Sequence, residues 1–544
     1  MLHAKSESQR SIPGLGASSA RTLTAEFAGH AASQPTKVAV VDDNRTVSYA
    51  ELAELTEECR QRLVEYGIGR GDAVAWQLPN SVEAVALFLA CVDLGAVAVP
   101  IVPIFRENEV EFICAQTRAA VLIVPAEHPR VDYPALAHTV AGRVDTLRMV
   151  GTVSLGEPRP FGTGTTASGR SPINASESAN ADERVSVIVY TSGTESRPKG
   201  VMHSQHTLIY DSDSMCRYLD MTADDVFFMP SPLSHITGLL NGIIGPVLLG
   251  ATAVLQDKWD PARALELIRT HRCTYSVMAT PFLQQMFARP DAADALQSFR
   301  FIRCGGADIP ATLMDTAARF GVTVLRVYGL SELPTLTCTH PDSSAAQRAG
   351  TDGRILENVT LRIVDDADRE LPPGAVGHIL ASGPEMFLGY VDPSLDATAF
   401  TTDGLFRTGD LGTLDADGYL RITGRAKDVI VRGGENLSAL EIEEALREHP
   451  SIVDVAVVGV PDDVMGQRAC AFVVTADDAA ITIADLRAAI VGAGLAVQKA
   501  PEYVLRVASL PRTPSGKVRK NALTAEFAER TTSVPRTTDH GETA

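Results

Sequence analysis

The stretch at residues 190–200 constrains this chain more than any other, because it joins a strand to a loop that suits an anion. It reads Tyr-Thr-Ser-Gly-Thr-Glu-Ser-Arg-Pro-Lys-Gly and follows a β-branched run. Glycine lets backbone N–H groups approach an anion, the hydroxyls of Thr191, Ser192 and Thr194 can donate hydrogen bonds, and Lys199 supplies charge. The order of a Walker A loop is absent. The stretch therefore predicts a different phosphate-binding loop, with a polar surface turn as the alternative.

Composition excludes several other classes of protein. The chain has 544 residues, 45% of them hydrophobic, and a net charge of −19, which argues against nucleic-acid binding. Its eight cysteines form no C-x-x-C pair, so neither a zinc site nor a disulfide framework is indicated. The N-terminus lacks the apolar core of a signal peptide, and the most apolar run, Leu239–Leu255, is interrupted by polar, glycine and proline residues. We expect a cytoplasmic enzyme without a membrane span.

Strands that alternate with helices predict a large N-terminal α/β domain of doubly wound sheets. Ser48 and Glu51 form a capping box for a helix that ends near Tyr66, and a second helix is predicted at Val82–Leu94. Further apolar strands are predicted at Val74–Leu78, Ala96–Val102, Ala251–Gln256, Tyr275–Ala279, Phe301–Cys304 and Thr323–Tyr328. The stretch from Gly156 to Asp182 is poor in large apolar residues and predicts an exposed loop.

The pattern of predicted segments changes twice in the rest of the chain. After about Gly350 the segments shorten, as at Val359–Asp365 and Gly377–Ser382, which indicates a small barrel-like subdomain. Near Gly424 a small α+β domain begins, with a helix that Ser438 and Glu441 cap. Its remaining elements are predicted at Val453–Val460, Ala469–Val474, Ile483–Val491 and Tyr503–Val507, with a final helix after Lys517. We therefore predict domains at residues 1–424 and 425–530, and disorder before about residue 23 and at 531–544.

Two segments of the large domain carry further chemistry. Tyr328-Gly-Leu-Ser-Glu332 follows an apolar strand, so its ring could stack on a purine and its carboxylate could hold Mg²⁺ beside phosphate oxygens. Phe406-Arg-Thr-Gly-Asp410 ends in a carboxylate that could take both hydroxyls of a ribose. Taken alone, each is equally compatible with an ordinary turn.

Two more segments belong to the small domain and its boundary. The stretch at residues 423–436 places charged residues and a glycine pair where the chain leaves the large domain. Pro511-Arg-Thr-Pro-Ser-Gly-Lys517 presents a lysine on a proline-stiffened loop, although a basic surface turn would read the same way.

In this order, the five segments resemble the adenylate-forming superfamily of acyl- and aryl-CoA synthetases, peptide-synthetase adenylation domains and luciferases. The resemblance covers about residues 25–525. It implies that the β- and γ-phosphates of ATP are handled by Thr191, Ser192, Gly193, Thr194 and Lys199. It implies that the adenine and its surroundings are served by Tyr328, Gly329, Gly306, Ala307 and Asp308. The resemblance also implies that Ser331 and Glu332 lie at the α-phosphate and Mg²⁺, and that Asp410 and Arg425 lie at the ribose.

The remaining roles concern the acid and the mobile domain. The resemblance implies that Lys517 acts at the reacting oxygens, that Lys427 is the hinge of a mobile C-terminal domain, and that His235 gates the acid pocket. Gly433 and Gly434 would face the tunnel for a thiol. Leu330, Leu333 and Pro334 would form an apolar pocket wall, and Gly305 with Gly306 would leave the pocket floor open.

The implied reaction is ATP-dependent conversion of a carboxylic acid to acyl-AMP, with release of pyrophosphate, then thioester formation with coenzyme A. The chain is most similar in appearance to ligases of cyclohexanecarboxylate-type and medium-chain acids, which favours an alicyclic, aromatic or medium-chain substrate. The alternatives are loading of a carrier protein, activation of nitrite to diazotise an arylamine, and nucleotide binding without catalysis. CoA-independent turnover would indicate the first two, and intact Lys517, Glu332 and Lys199 argue against the third. A homodimer is left open.

Overall fold

The computed structural model describes residues 21–162, 164–166, 185–191, 198–305, 309, 311–432, 435–462, 465–476, 479–513 and 516–532. The chain forms two compact units. The first contains the described residues up to Arg362, together with Leu380–Thr408 and Leu414–Arg421. The second contains Ile363–Ile379, Gly409–Thr413 and the described residues from Ile422 onward. The predicted disorder at both chain ends and the glycine- and serine-rich loop fall largely outside the described residues.

The α-helices among the described residues are α1 Leu23–Ser33, α2 Tyr49–Glu65, α3 Val82–Leu94, α4 Glu107–Thr117, α5 Tyr133–Ala141, α6 Gln205–Tyr218, α7 Ile236–Leu239, α8 Gly245–Leu249, α9 Pro261–His271, α10 Thr280–Phe287, α11 Ala292–Ala295, α12 Ala311–Arg319, α13 Ala345–Gly350, α14 Asp396–Ala399, α15 Ala439–Arg447, α16 Ile483–Gly492 and α17 Lys520–Thr532. A π-helical turn, Leu240–Ile244, joins α7 to α8. No helix in the described part of the chain is both long and apolar enough to cross a membrane.

The strands of the described residues are β1 Val38–Val41, β2 Thr46–Ser48, β3 Ala73–Trp76, β4 Val97–Pro100, β5 Val121–Pro125, β6 Met149–Val153, β7 Thr165–Thr166, β8 Val187–Thr191, β9 Lys199–His203, β10 Val226–Met229, β11 Thr252–Leu255, β12 Tyr275–Met278, β13 Phe301–Gly305, β14 Val324–Tyr328, β15 Thr337–Cys338, β16 Arg354–Ile355, β17 Thr360–Val364, β18 Gly377–Ser382, β19 Gly389–Tyr390, β20 Phe406–Leu414, β21 Leu420–Arg425, β22 Val429–Arg432, β23 Glu435–Ser438, β24 Ile452–Asp462, β25 Gly466–Thr475 and β26 Tyr503–Arg506.

Two large sheets make up the first unit. One has the order β16-β15-β14-β13-β12-β10-β11-β1-β2 and the other β19-β9-β8-β4-β3-β5-β6-β7. Parallel pairing dominates their centres, as at β12–β13–β14 and β4–β3–β5. Helix α3 is apolar on nearly every face and lies in a core that takes residues from both sheets. Two further apolar clusters cover the outer faces of the sheets. The predicted doubly wound α/β architecture is confirmed.

Smaller sheets follow the large ones. A four-stranded sheet has the order β17-β18-β20-β21 and contributes residues to both units. In the second unit β23, β22, β25 and β24 form a sheet to which β26 adds by pairing with β25. Helices α15 and α16 pack on one apolar cluster of this sheet and α17 on another. This is the predicted small α+β domain.

Local signals predicted the elements well. The capping box of Ser48 and Glu51 is formed, and α3 and β18 have the predicted bounds. Ser438 caps α15 by accepting a hydrogen bond from the Glu441 amide. The apolar run at residues 239–255 is a buried series of short helices and a strand.

Candidate active site

The predicted phosphate loop joins two antiparallel strands. Strand β8 ends at Thr191 and β9 begins at Lys199, and these two residues face each other in the β8–β9 pair. Gly200 has no room for a side chain, because an added Cβ would lie 2.8 Å from Val391 Cγ2 and 2.9 Å from Tyr190 Cζ. The hairpin therefore fixes the two ends of the loop against a packed neighbour. Ser192, Gly193 and Thr194 lie outside the described residues.

Tyr390 connects the loop lysine to the predicted metal ligand. Strand β19 pairs with β9, which sets Tyr390 opposite Val201. The Tyr390 hydroxyl donates to Glu332 Oε1 at 2.7 Å, and Lys199 Nζ lies 5.9 Å from the centroid of the Tyr390 ring. An ammonium over a tyrosine ring is attracted by its negative face. One aromatic side chain thus holds a cation and a carboxylate in the same region of the first unit.

The loop after β14 has a compact, hydrogen-bonded form. The Leu330 amide donates to the Leu333 carbonyl at 2.9 Å, and the Leu336 amide donates to the Tyr328 carbonyl at 2.9 Å. An added Cβ at Gly329 would lie 1.9 Å from the Pro334 carbonyl oxygen, so glycine is required there. This turn presents Tyr328, Ser331 and Glu332 together at the end of a parallel strand.

His203 holds this loop from the neighbouring sheet. Its Nε2 lies 2.7 Å from the Ser331 carbonyl oxygen, which can only accept, so Nε2 carries the proton. Burial lowers the pKa of His203 to about 4, against the opposing effect of the Ser331 hydrogen bond. The ring is therefore neutral near pH 7 and positions Ser331.

The predicted acid pocket involves His235 and Gly305. His235 precedes α7 and is half-buried, and the Leu239 amide donates to its carbonyl at 2.9 Å. Gly305 ends β13 opposite Val327, and an added Cβ would lie 2.3 Å from the Val327 carbonyl oxygen. Close strand packing therefore requires glycine at this position, and its role at the pocket floor stays a prediction.

The remaining predicted residues belong to the second unit. Asp410 is buried on β20 and forms an ion pair of 2.9 Å with Arg425 Nε at the end of β21. Lys427 is exposed on a short 3₁₀ turn, Ala426–Asp428. Lys517 is exposed in a loop where the Thr513 amide donates to its carbonyl at 2.7 Å. Asp410 and Arg425, predicted together at the ribose, are thus in contact.

Five other predicted residues fall outside the described residues. They are Gly306, Ala307, Asp308, Gly433 and Gly434.

The sequence analysis missed His203 and Tyr390. Both act through partners that are distant along the chain, Ser331 and Glu332 respectively. Periodicity of apolar residues predicts a strand but not its neighbours in a sheet, so no signal in the sequence indicated these contacts.

Comparison with known proteins shows which family the chain resembles. Residues 27–391 match the AMP-binding enzyme family, and residues 441–517 match the AMP-binding enzyme C-terminal domain. The medium-chain fatty-acid–CoA ligase of Escherichia coli strain K12 is 34% identical over 510 residues, covering 92% of this chain and 90% of the relative. The indoleacetate–CoA ligase of Aromatoleum aromaticum is also 34% identical over 510 residues, covering 92% and 97%. The crystal structure of ATP-bound MatB from Rhodopseudomonas palustris has a TM-score of 0.83 at 30% identity, covering 93% of this chain and 99% of that one.

The fold and the matched residues define the class: this chain belongs to the AMP-binding enzyme family. The predicted enzyme class, an ATP-dependent, AMP-forming acid–thiol ligase, is thereby confirmed.

Proposed function

We propose that this enzyme activates an alicyclic, aromatic or medium-chain carboxylic acid to acyl-AMP, with release of pyrophosphate, and then transfers the acyl group to coenzyme A. The observation that carries the proposal is the Lys199–Tyr390–Glu332 contact. It brings the lysine of the predicted phosphate loop and the carboxylate of the predicted magnesium site onto one tyrosine. Adenylation needs this pairing of an ammonium and a metal-binding carboxylate, because charge develops on transferred phosphate groups.

The surroundings of Glu332 fit a magnesium ion that is bound mainly through nucleotide phosphates. Mg²⁺ is commonly held by one or two carboxylates plus phosphate oxygens and water. Glu332 is mostly buried, accepts from Tyr390 and makes no ion pair among the described residues. No group of three potential protein ligands converges in the described part of the chain. One carboxylate is sufficient for an ion that is held mainly by phosphate oxygens and water. When bound, Mg²⁺ would neutralise phosphate charge.

Each protein group then has one task in the first half-reaction. A carboxylate is a poor acyl donor, and attack of its oxygen on the α-phosphorus of ATP solves this by making AMP the leaving group. Lys199, with the loop hydroxyls, would neutralise the departing pyrophosphate. Tyr328 and the Asp410–Arg425 pair would bind the adenosine. Lys517 would stabilise the attacking and bridging oxygens as a compact point charge.

The proposed acceptor of the second half-reaction and the proposed class of acid are supported by the names of similar proteins. Both curated relatives described above are named as CoA ligases, one for a medium-chain fatty acid and one for indoleacetate. These names support a substrate with a substantial apolar part and coenzyme A as the acceptor. Loading of a carrier protein and diazotisation with nitrite remain the competing second steps.

A product screen tests the proposal. The enzyme is incubated with ATP, Mg²⁺ and one acid at a time, with and without coenzyme A, and pyrophosphate, AMP and thioester are quantified. We expect acid-dependent pyrophosphate release and a thioester only when coenzyme A is present. Rapid multiple turnover without coenzyme A, or turnover that requires nitrite and an arylamine, would show that the second step is not thioester formation with coenzyme A. No pyrophosphate with any acid or with nitrite would contradict adenylation.

A further inference from the structure

The loop before α17 folds as a tight hairpin around the backbone of Lys517. Arg512 and Val518 face each other in an antiparallel bridge. Between them, the Thr513 amide donates to the Lys517 carbonyl at 2.7 Å, and the Lys517 amide donates to the Thr513 hydroxyl oxygen at 3.1 Å. Both polar groups of the lysine backbone are therefore bound within the hairpin.

The side chain of Arg512 reaches into this hairpin. Its Nη1 donates to the Gly516 carbonyl oxygen at 2.7 Å. Since a peptide group is planar, this contact also fixes the plane that contains the Lys517 amide. Gly516 has a φ of 85°, in the left-handed region that favours glycine. The guanidinium therefore holds the turn at the residue directly before the lysine.

Asp454 holds the other arm of the guanidinium. Its Oδ2 accepts from Arg512 Nη2 at 2.5 Å, and its Oδ1 accepts from the Val455 amide at 3.0 Å. Asp454 lies on β24, where it faces Val474 in the antiparallel pair with β25. The Asp454–Arg512 ion pair thus ties the turn before Lys517 to a paired strand of the same unit.

This ion pair is not what attaches the hairpin to its domain. The side chains of Asp454 and Arg512 are 30% and 29% exposed, and ion pairs of this kind add little to the stability of a fold. Leu510 is buried in the apolar cluster on which α17 packs, and Val518 packs against the same cluster. Apolar contacts therefore secure the base of the hairpin, and the ion pair adds a fixed path for the backbone at Lys517.

We propose that Arg512, held by Asp454, is a positioning residue that sets the direction in which Lys517 leaves its loop for the first half-reaction. A lysine has a long, flexible stem, so its charge is preorganised only if the backbone that carries it is fixed. A displacement of about 1 Å in an active site can lower a rate by about 100-fold. This inference rests on the proposed function, in which Lys517 acts at the reacting oxygens.

Single-turnover release of pyrophosphate from ATP and the preferred acid tests the proposal. We expect Arg512→Ala to lower the maximal rate constant by about 30-fold or more, and to change the half-saturating concentrations of ATP and acid by less than about threefold. Asp454→Ala keeps the charge of Arg512 but releases its guanidinium, and it should lower the same rate constant by about tenfold or more. The two substitutions combined should be no slower than Arg512→Ala alone, because Asp454 acts through Arg512.

The second half-reaction distinguishes positioning from a general loss of structure. Both variants should convert a supplied acyl-adenylate to thioester at the wild-type rate. Arg530→Ala is the matched control, since Arg530 lies on α17 of the same unit and pairs with Glu526 at 2.6 Å. It should keep both wild-type rates, and thermal unfolding checks that all variants fold. Wild-type pyrophosphate release in Arg512→Ala and Asp454→Ala, or an equal loss in both half-reactions, would overturn the proposal.

Hydrogen exchange separates this inference from the proposed function. The amides of Gly516 and Lys517 are hydrogen-bonded within the hairpin, and they should exchange faster in Arg512→Ala and Asp454→Ala while α17 is unchanged. If no acid releases pyrophosphate but these amides exchange faster, the positioning of Lys517 stands and the reaction is wrong. If acids are activated and both variants release pyrophosphate at the wild-type rate, the reaction stands and the positioning is wrong. Unchanged exchange in both variants overturns the positioning, whatever the reaction.

Discussion

At the scale of single residues, substitution of Lys517 should affect the first half-reaction but not the second. Its exposed side chain extends from the loop before α17. We expect Lys517→Ala to lose adenylation, with a cost of about 2–4 kcal/mol of transition-state stabilisation or more, because a preorganised charge at the reacting oxygens is removed. Conversion of a supplied acyl-adenylate to thioester should persist. The measurement is the rate of each half-reaction.

Arg519→Ala is the control for that variant. Arg519 is also an exposed cation, two residues further along the chain, so its removal changes the net charge equally. Equal loss of both half-reactions in Lys517→Ala, or no loss of either, would contradict the role proposed for the lysine.

The burial of Glu385 predicts that the free energy of unfolding depends on pH. Its carboxyl is buried and lies over Gly383, and neither of its oxygens has a hydrogen-bond partner among the described residues. Burial, with a smaller contribution from the charge of Asp211, raises the pKa of Glu385 to about 8. Between the ordinary value of 4.5 and about 8 the folded state binds more protons than the unfolded state. The stability contributed by the neutral carboxyl is therefore present below pH 4.5 and is lost as pH rises to about 8.

Glu385→Gln should remove that loss. We expect it to raise the free energy of unfolding by a few kcal/mol, in order of magnitude, at pH 8 and by much less at pH 4.5. Denaturant unfolding across this range measures the difference. Glu83→Gln is the control, since Glu83 is buried and paired with Arg45 at 2.6 Å, and its loss should destabilise at pH 8. A gain for Glu385→Gln that does not grow with pH would contradict the account.

At the scale of elements, Lys427 tests the predicted hinge. It lies on the 3₁₀ turn between β21 and β22. Lys427→Pro would fix one backbone torsion and remove an N–H group at this point. We expect nearly normal pyrophosphate release and a much slower thioester step, because only the second step should need a change of domain arrangement. Normal overall turnover would show that the chain does not pivot at Lys427.

Elements were easier to predict from the sequence than their contacts. Caps and apolar periodicity are local, and they predicted α2, α3 and β18 closely. The pairing of β19 with β9, which brings Tyr390 to Glu332, joins segments almost two hundred residues apart and has no local signal.

The predicted acid pocket also shows that the sequence indicates apolar residues more readily than their contacts. Its apolar residues were apparent from the sequence, and Leu333 is fully buried. Gly305 leaves no room for a side chain beside Val327, and its place at the pocket floor stays a prediction.

At the scale of the whole molecule, the sequence predicted the family, the architecture and the enzyme class. The five motifs are spread along the chain in a fixed order, so their agreement constrains the whole chain in a way that no single motif does. The domain boundaries at 424 and 530, the mobility of the small domain and the cytoplasmic location stay predictions.

The central claim is that one active site first converts an acid to acyl-AMP and then transfers the acyl group to coenzyme A. Rapid-quench analysis of the purified enzyme with ATP, Mg²⁺ and the acid preferred in the product screen tests this most directly. Without coenzyme A, we expect a burst of one equivalent each of pyrophosphate and enzyme-bound acyl-AMP, followed by slow turnover. Addition of coenzyme A should discharge the acyl-AMP to thioester and AMP at a rate no slower than steady-state turnover. Absence of acyl-AMP, or acyl-AMP that coenzyme A does not discharge, would contradict the account.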